Sequence, residues 1–407
     1  MPYAQTEVAN SICNRIKAFD TSKNPSGEED SKYKPDITFY NANTSDSESR
    51  LTSFQTMEMF VEFKRGDTSD PFCSHDQLPF EKLFETTCAT RGQIVLYSTR
   101  LQAYQFRTWA FSVGIFGNVA RLFRWDRAGA IVSEPILYCE KGNHDLAEFL
   151  RRFDLMDRTK RGWDLTVFDA TPGEAAAFDA AVKAVVGEGR NVLLRTLLES
   201  VGDKVGYPRR RVEIPTLDGE DERVASYIVG RSIANARSPT GRATRGFVAM
   251  SKDTGKLVFL KDSWRPNVLG MMGEAHWFEK LEGARNISAF LHGSDVKCVA
   301  VRRRDAARKP GPPVNPFQHT LTDLYSDDFC GMQKMVGYIH YRTVQCEFYV
   351  PLNMFKDSKH LTQIMYDIII GTGLPSLVRL PPLNPSQPYR IYMIGGSFTE
   401  ISAPRTS

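Results

Sequence analysis

The sequence predicts an α+β protein built in two parts, and three observations support that prediction. Residues 57–64 alternate apolar and polar side chains, which is typical of a half-buried strand. A glycine turn at residues 241–246 leads into an apolar strand that ends in one lysine, and a helical pattern follows. Residues 202–223 lie between these regions and combine charges with prolines, as linkers do. Two domains are also what a length of 407 residues favours.

The first domain is expected over residues 31–200, after a flexible polar segment at residues 1–30 that includes a short helix. Apolar alternation predicts strands at 57–64, 108–115 and 119–124, with a turn at 126–129. Apolar residues at helical spacing predict helices at 89–104, 145–153 and 173–186. Thr171 and Pro172 provide a cap and a first turn for the last of these helices.

The linker is expected over residues 201–223, and it contains three consecutive arginines, Arg209 to Arg211. Three interpretations fit these arginines: a solvated linker, a nuclear localisation patch and a phosphate contact. The second domain is expected over residues 224–370, with strands at 227–229, 246–251, 257–261, 296–302 and 335–346. A loop and a helix are predicted over 266–282, and a second helix over 357–370. Repeated prolines predict an irregular tail at residues 371–407.

The composition favours an intracellular protein, cytoplasmic or nuclear, with no membrane contact. Seven scattered cysteines never form a Cys-x-x-Cys pair, which argues against a zinc site or a disulfide framework. No run of about 18 apolar residues exists, and the N-terminus has no apolar signal core. The net charge of +4 creates no overall field that would attract nucleic acid.

One candidate site combines the glycine turn with a lysine and a glutamate. Gly241, Gly246 and Val248 follow a Gly-x-Gly-x-x-Gly-x-Val pattern, with alanine in place of the middle glycine. Such a turn lets backbone N–H groups approach phosphate oxygens, although a solvent-exposed hairpin has the same pattern. Lys261 ends a buried apolar strand, where a charge needs a partner, and Glu274 opens the next helix. Glu274 is the natural partner, although the helix dipole alone also favours a glutamate there.

These residues lie in a longer resemblance. The runs GRATRGFVAM (241–250), VFLKDSWR (258–265) and GEAHWFEKL (273–281) resemble the fungal-type protein kinase family, and the resemblance covers residues 32–370 with gaps. It implies an ATP-dependent serine/threonine phosphotransferase fold. In this fold, Lys261 contacts ATP phosphates, Glu274 holds Lys261, and the backbone from Glu347 to Tyr349 meets adenine. ATP and Mg²⁺ are the cofactors that it implies.

The chain departs from that family after the helix at residues 357–370. No His-Arg-Asp run follows, and no usable Asp-Phe-Gly follows either. Without a base and a metal-binding aspartate, phosphoryl transfer loses its positioning and its Mg²⁺. We therefore expect a catalytically inactive kinase-like protein, a pseudokinase, that binds ATP weakly or interacts with an unknown protein partner. An incomplete gene model of an active serine/threonine kinase is an alternative.

A second candidate site lies in the first domain and resembles the PD-(D/E)XK nuclease superfamily. Asp36, Glu62 and Lys64 have its spacing, and Gln93 and Tyr97 share one helix face. On this resemblance, Asp36 and Glu62 would hold Mg²⁺ and Lys64 would orient water or stabilise charge. Glu-x-Lys alternation also occurs on any solvent-facing strand, so the pattern alone does not establish a nuclease. Nuclease activity, with nucleic acid as partner, is the alternative to the kinase-like function.

Together the two resemblances specify the α+β fold class more closely. A restriction-endonuclease-like mixed α/β first domain would precede a protein-kinase-like small lobe, with the large lobe mostly absent.

Overall fold

The computed structural model describes residues 2–26, 33–44, 52–74, 77, 79–187, 197–198, 200–201, 207–218, 221–281, 288–298, 315–328, 335–347, 355 and 357–371. Two sheets and six helices account for most of its regular structure. The first sheet contains β1 (Ile16–Asp20), β2 (Ile37–Asn41), β3 (Met59–Lys64), β4 (Ala110–Phe116), β5 (Val119–Trp125) and β6 (Ala130–Val132). The second sheet contains β7 (Val167–Asp169), β8 (Arg210–Asp218), β9 (Asp221–Ala234), β10 (Arg245–Ser251), β11 (Leu257–Pro266), β12 (Phe290–Asp295) and β13 (Tyr338–Gln345). The helices are α1 (Pro2–Ile12), α2 (Glu85–Tyr104), α3 (Asp145–Leu155), α4 (Pro172–Gly187), α5 (Glu274–Lys280) and α6 (Ser358–Gly371).

The first sheet is mixed and has helices on both faces. Its strands follow chain order from β1 to β6, and only the pair β3–β4 is parallel. A parallel pair needs a crossover connection, and α2 provides it. Ile94 and Tyr97 of α2 pack with Phe60 on one face of the sheet. Helices α1 and α3 pack on the opposite face, where Val61 belongs to the same buried cluster as Leu150.

The second sheet is antiparallel throughout, in the order β12-β13-β11-β10-β9-β8-β7. One of its faces packs on the first domain, where the Phe106 ring stacks on Phe247 with centroids 5.4 Å apart. Helix α4 covers part of the other face. A capping box begins α4: the Glu174 backbone N–H donates to Thr171 Oγ1 at 3.3 Å, and the Thr171 N–H donates to Glu174 Oε2 at 2.9 Å.

A buried charge network joins the second sheet to the first domain. The Arg342 guanidinium donates to Asp164 Oδ2 at 2.5 Å and to Asp262 Oδ2 at 3.2 Å, and all three side chains are buried. His340 Nε2 lies 2.8 Å from Asp262 Oδ1, and Arg245 Nη2 donates to Asp262 Oδ2 at 3.2 Å. These contacts lower the pKa of Asp262 well below its ordinary value, because His340 and the two arginines stabilise its charged form.

Most predicted elements are confirmed to within a few residues, but the flexible N-terminal segment is a wrong prediction. The short helix expected in this segment is present as α1, but the residues after it form β1, which pairs antiparallel with β2. Ile16 and Ala18 of β1 are buried in the core. Residues 1–30 are mostly polar, so the sequence did not indicate that these few apolar side chains belong to a core. An adjacent strand and helix bury them.

The predicted linker at residues 201–223 is also wrong, because β8 and the start of β9 form a hairpin there. Val212 and Ile214 are buried in the core of the second sheet. The consecutive arginines are ion-paired rather than solvated. Arg209 Nε lies 2.8 Å from Asp179 Oδ1 of α4, and Arg210 pairs with Asp169 of β7.

Two further boundaries differ from the prediction. Strand β7 and helix α4 fall within the expected first domain, yet β7 pairs with β8 and α4 packs on the second sheet. The strand predicted at 296–302 lies earlier in the chain, as β12; residues 296–298 follow it, and 299–302 lie outside the described residues. The predicted tail after residue 371 also lies outside them. Among the described helices, none has both the length and the apolar character that a bilayer crossing requires.

Candidate functional site

The four residues predicted as a nuclease-like site converge at the first sheet. Glu62 and Lys64 lie two residues apart on β3, so their side chains leave the same face. Ile37 pairs with Val61 in the antiparallel β2–β3 ladder, which places Asp36 beside Glu62. The Phe63 N–H donates to Asp36 Oδ2 at 2.8 Å and fixes that carboxylate against β3.

Helix α2 completes the site from above the same face. The Lys64 ammonium donates to Glu62 Oε1 at 2.5 Å and to Gln93 Oε1 at 2.9 Å. Gln93 Nε2 donates to the Tyr97 hydroxyl at 2.9 Å, and that hydroxyl donates to the Lys34 carbonyl at 3.1 Å. The i, i+4 spacing of Gln93 and Tyr97 therefore serves to orient the amide that holds Lys64.

Burial makes the two carboxyl groups of this site hold their protons more tightly than usual. Glu62 is 2% exposed, and burial, followed by the nearby Asp36 charge, raises the pKa of Glu62 to about 7. Burial also raises the pKa of Asp36. The pKa of Tyr97 rises to about 12, chiefly through burial and further through the Glu62 and Asp36 charges. In all three groups, burial and nearby carboxylate charges disfavour the negatively charged form.

The donor set fits a hard divalent cation. Glu62 Oε2 is buried and has no hydrogen-bond partner, while Oε1 is bound to Lys64. An orphaned carboxylate oxygen next to a second carboxylate is costly unless a cation satisfies both. Mg²⁺ is commonly held by one or two carboxylates and otherwise by water. In the described part of the chain, no group of three or more His, Cys, Asp or Glu side chains is arranged to hold a metal.

The predicted lysine–glutamate pair is present at the second sheet. Lys261 lies on β11, between Gly246 of β10 and Thr343 of β13. Its ammonium is buried and donates to Glu274 Oε1 at the start of α5. Arg242 Nη2 donates to the same Glu274 oxygen at 3.1 Å. The glutamate therefore joins the central strand, the glycine turn and the helix.

The glycine turn has the predicted hairpin form but several of its groups are already engaged. Gly241 has φ of +83°, a left-handed conformation that favours glycine, and Ala243 has φ of +41° despite its Cβ. The Gly241 N–H donates to the Arg127 carbonyl of the first domain at 2.8 Å. The Arg242 carbonyl accepts from the Trp264 N–H at 2.8 Å. The turn is thereby attached to both β11 and the first domain.

Helix α4 covers Val248, one of the residues of the predicted glycine-turn motif. Val248 is fully buried and belongs to one apolar cluster with Phe178 and Val182 of α4. A Cβ on Gly246 would lie 2.9 Å from the Phe259 ring, so this glycine is needed for packing inside the sheet. Of the predicted hinge, Glu347 follows β13 and is half-buried, and Tyr349 lies outside the described residues.

A comparison with protein-family models matches residues 84–378 to the fungal protein kinase family, which is more than half of the chain. This chain belongs to the fungal protein kinase family. Searches of curated proteins and of solved structures returned no significant match. The match confirms the family that the sequence motifs indicated.

In this fungal protein kinase family member, the matched span contains the lysine–glutamate site but only part of the carboxylate cluster. Lys261 and Glu274 lie inside the matched span, as does Gln93, whereas Asp36, Glu62 and Lys64 precede it. The sequence resemblance extended back to residue 32, beyond the matched span.

Sequence reasoning missed residues that support the lysine–glutamate site and the sheet around it. Arg242 shares Glu274 with Lys261, and Arg127 holds the glycine turn through its carbonyl. The buried pair of Asp262 and Arg342 was also missed. The available signal was the charged Asp262 directly after the buried Lys261, which indicates a buried partner of opposite charge. The sequence contains 52 lysines and arginines, however, and their spacing does not show which of them are buried.

Proposed function

We propose that this fungal protein kinase family member hydrolyses phosphodiester bonds of nucleic acid at the first sheet, with a divalent cation as cofactor. One observation carries the proposal: Asp36, Glu62 and Lys64 meet Gln93 in one half-buried cluster, in which Glu62 itself is buried and its Oε2 has no hydrogen-bond partner. A mixed sheet with the β3–α2–β4 crossover beside these residues agrees with the restriction-endonuclease-like fold.

Each residue has a role that its contacts support. Asp36 and Glu62 would hold the cation, since the Asp36 charge is near enough to raise the pKa of Glu62 and Glu62 Oε2 is unsatisfied. When bound, a divalent cation supplies Lewis acidity toward a phosphoryl oxygen and a more acidic water. Lys64 places its positive charge beside these carboxylates, where it would orient water or stabilise negative charge on the phosphate. Gln93 is a positioning residue, because it contacts the Lys64 ammonium and is itself held by Tyr97.

The proposal is tested by nicking of supercoiled plasmid with Mn²⁺ or Mg²⁺. Wild-type protein is expected to nick the plasmid, and Lys64→Met is expected to lower the rate at least a hundredfold, the usual scale for removing a preorganised electrostatic group. Lys160→Met is the matched control, because Lys160 is exposed and distant from the cluster in the chain. Equal rates for wild type and Lys64→Met, or no cleavage with either metal, would contradict the proposal.

We propose a second, weaker activity at the second sheet: anchoring of ATP phosphate without phosphoryl transfer. The buried ion pair of Lys261 and Glu274 favours it, since this pair is how kinases hold ATP phosphates. The affinity should be low, because α4 buries Val248 of the glycine-turn motif. The 407-residue sequence contains no His-Arg-Asp to supply a base, so no phosphate should reach serine or threonine substrates.

A thermal-shift titration with ATP and Mg²⁺ tests this second activity. Wild type should gain a small, saturable stabilisation, and Lys261→Met should lose it. Lys252→Met provides a control with a lysine on the turn after β10, whose partner is Glu174 rather than Glu274. Transfer of labelled phosphate that disappears in Lys261→Met would refute the absence of kinase activity.

A further inference from the structure

An apolar cavity of about 220 Å³ lies on the face of the first sheet opposite the carboxylate cluster. Side chains of β2 and β3, including Phe39, Val61 and Phe63, form its floor. Helix α1 covers one side through Ala9, and α3 covers another through Leu150. The space lies between two helices and a sheet, and most of the side chains that line it are apolar.

Among the described side chains that line this cavity, one polar atom is buried without a partner. The Tyr138 hydroxyl at the cavity wall donates to the Gly117 carbonyl at 2.9 Å, and the Gln5 amide lies beside that hydroxyl. Gln5 Oε1 is nevertheless buried with no hydrogen-bond partner. A buried amide oxygen without a donor costs free energy, which a ligand with one donor would recover.

The size and lining of the cavity define the chemical class of its occupant. A dry cavity of about 150 Å³ lined by aliphatic and aromatic residues holds benzene. The larger cavity here has room for a second fused ring. The walls are apolar apart from Gln5 and Tyr138, so water inside gains few hydrogen bonds from the protein. Val8, at 61% exposure, marks where the cavity reaches the surface beside α1.

We propose that this cavity binds a small aromatic molecule of one or two rings that carries a single N–H or O–H donor, directed at Gln5 Oε1. The site is separate from the carboxylate cluster, since β3 lies between them: Val61 and Phe63 line the cavity, and Glu62 points to the other face.

Calorimetric titration of the full chain with two matched probes tests this proposal. Indole carries the donor, and benzofuran has the same shape with oxygen in place of N–H. Wild type should bind indole about three- to tenfold more tightly than benzofuran, the scale of one net hydrogen bond. Gln5→Leu should bind the two probes equally. Ala9→Leu fills the cavity and should weaken both probes at least tenfold.

Glu7→Leu is the control for Ala9→Leu, because it adds a leucine to the exposed face of α1. It should bind both probes as wild type does. If circular dichroism shows that Ala9→Leu does not fold, Ala9→Val makes a smaller filling substitution and should still weaken binding. Absence of saturable indole binding to wild type, or full binding to a folded cavity-filled variant, would overturn the proposal. A preference for indole that survives in Gln5→Leu would overturn the assignment of the acceptor.

Discussion

At the residue scale, Glu62 shows how a buried carboxyl group makes stability depend on pH. Burial raises the pKa of Glu62 from its ordinary 4.5 to about 7, so the folded state holds this proton more tightly than the unfolded state does. The contribution of Glu62 to the free energy of unfolding therefore falls as pH rises from about 4.5 to 7 and is constant above that. At alkaline pH, the charged Glu62 lowers the free energy of unfolding by roughly 3 kcal/mol relative to a carboxyl group with an unshifted pKa.

We predict that Glu62→Gln raises the free energy of unfolding at pH 8, by about 1–3 kcal/mol, and changes it little at pH 4.5. Urea unfolding at both pH values measures this difference. Exposed Glu140→Gln should show no such gain at pH 8. Mn²⁺ should stabilise wild type and not Glu62→Gln, since the amide removes a cation ligand. Parallel pH profiles for wild type and Glu62→Gln between pH 5 and 8 would count against the buried-carboxylate description.

At the element scale, helix α4 belongs with the second sheet because its apolar face has no other place to be buried. Phe178 and Val182 are fully buried against Ile228 and Val248. We predict that Phe178→Ala lowers the free energy of unfolding by about 3–5 kcal/mol, the usual cost of removing a buried aromatic side chain. Val185→Ala, 40% exposed on the same helix, should cost less than about 1 kcal/mol. Chemical denaturation measures both, and similar losses for the two variants would contradict this placement of α4.

At the scale of the whole molecule, one arginine links the two domains through buried carboxylates. Arg342 is fully buried and bonds Asp164 from the first-domain side and Asp262 of β11. Its removal leaves two buried carboxylates with fewer partners, which typically costs about 3–5 kcal/mol. We therefore predict a loss of that size for Arg342→Met. Arg265→Met is the control, because Arg265 pairs with Asp295 but is 20% exposed, and it should cost about 1 kcal/mol or less.

The same network predicts the acid sensitivity of the domain interface. The pKa values of Asp164 and Asp262 are lowered, with Arg342 and His340 among the charges that lower both. Their stabilising contribution is fully present above the ordinary value of 3.8 and is lost as pH falls toward their folded-state pKa values. Thermal melts of wild type at pH 7 and below pH 4 measure that loss. A melting temperature that does not fall with acid would show that these carboxylates are not charged in the folded state.

The sequence by itself determined the family, most elements and two groupings of side chains: Glu62 and Lys64 with Gln93, and Lys261 with Glu274. Periodicity is a local property, so β3, α2 and the strand that bears Lys261 were predictable. The two-residue spacing of Glu62 and Lys64 fixed their common face for the same reason. The motifs around Gly246 and Glu274 indicated the fungal protein kinase family before any comparison confirmed it.

Only the tertiary structure decided where segments of weak local signal belong. Strand β8 was predicted as a linker because its arginines have no partner nearby in the sequence. In the folded chain, Arg210 pairs with Asp169 of β7 and Arg211 with Glu174 of α4. Helix α4 covers Val248, and Arg342 reaches Asp164 from 178 residues away, through contacts that no local pattern encodes. Burial, the unsatisfied oxygen of Glu62 and its raised pKa likewise exist only once distant segments exclude water together.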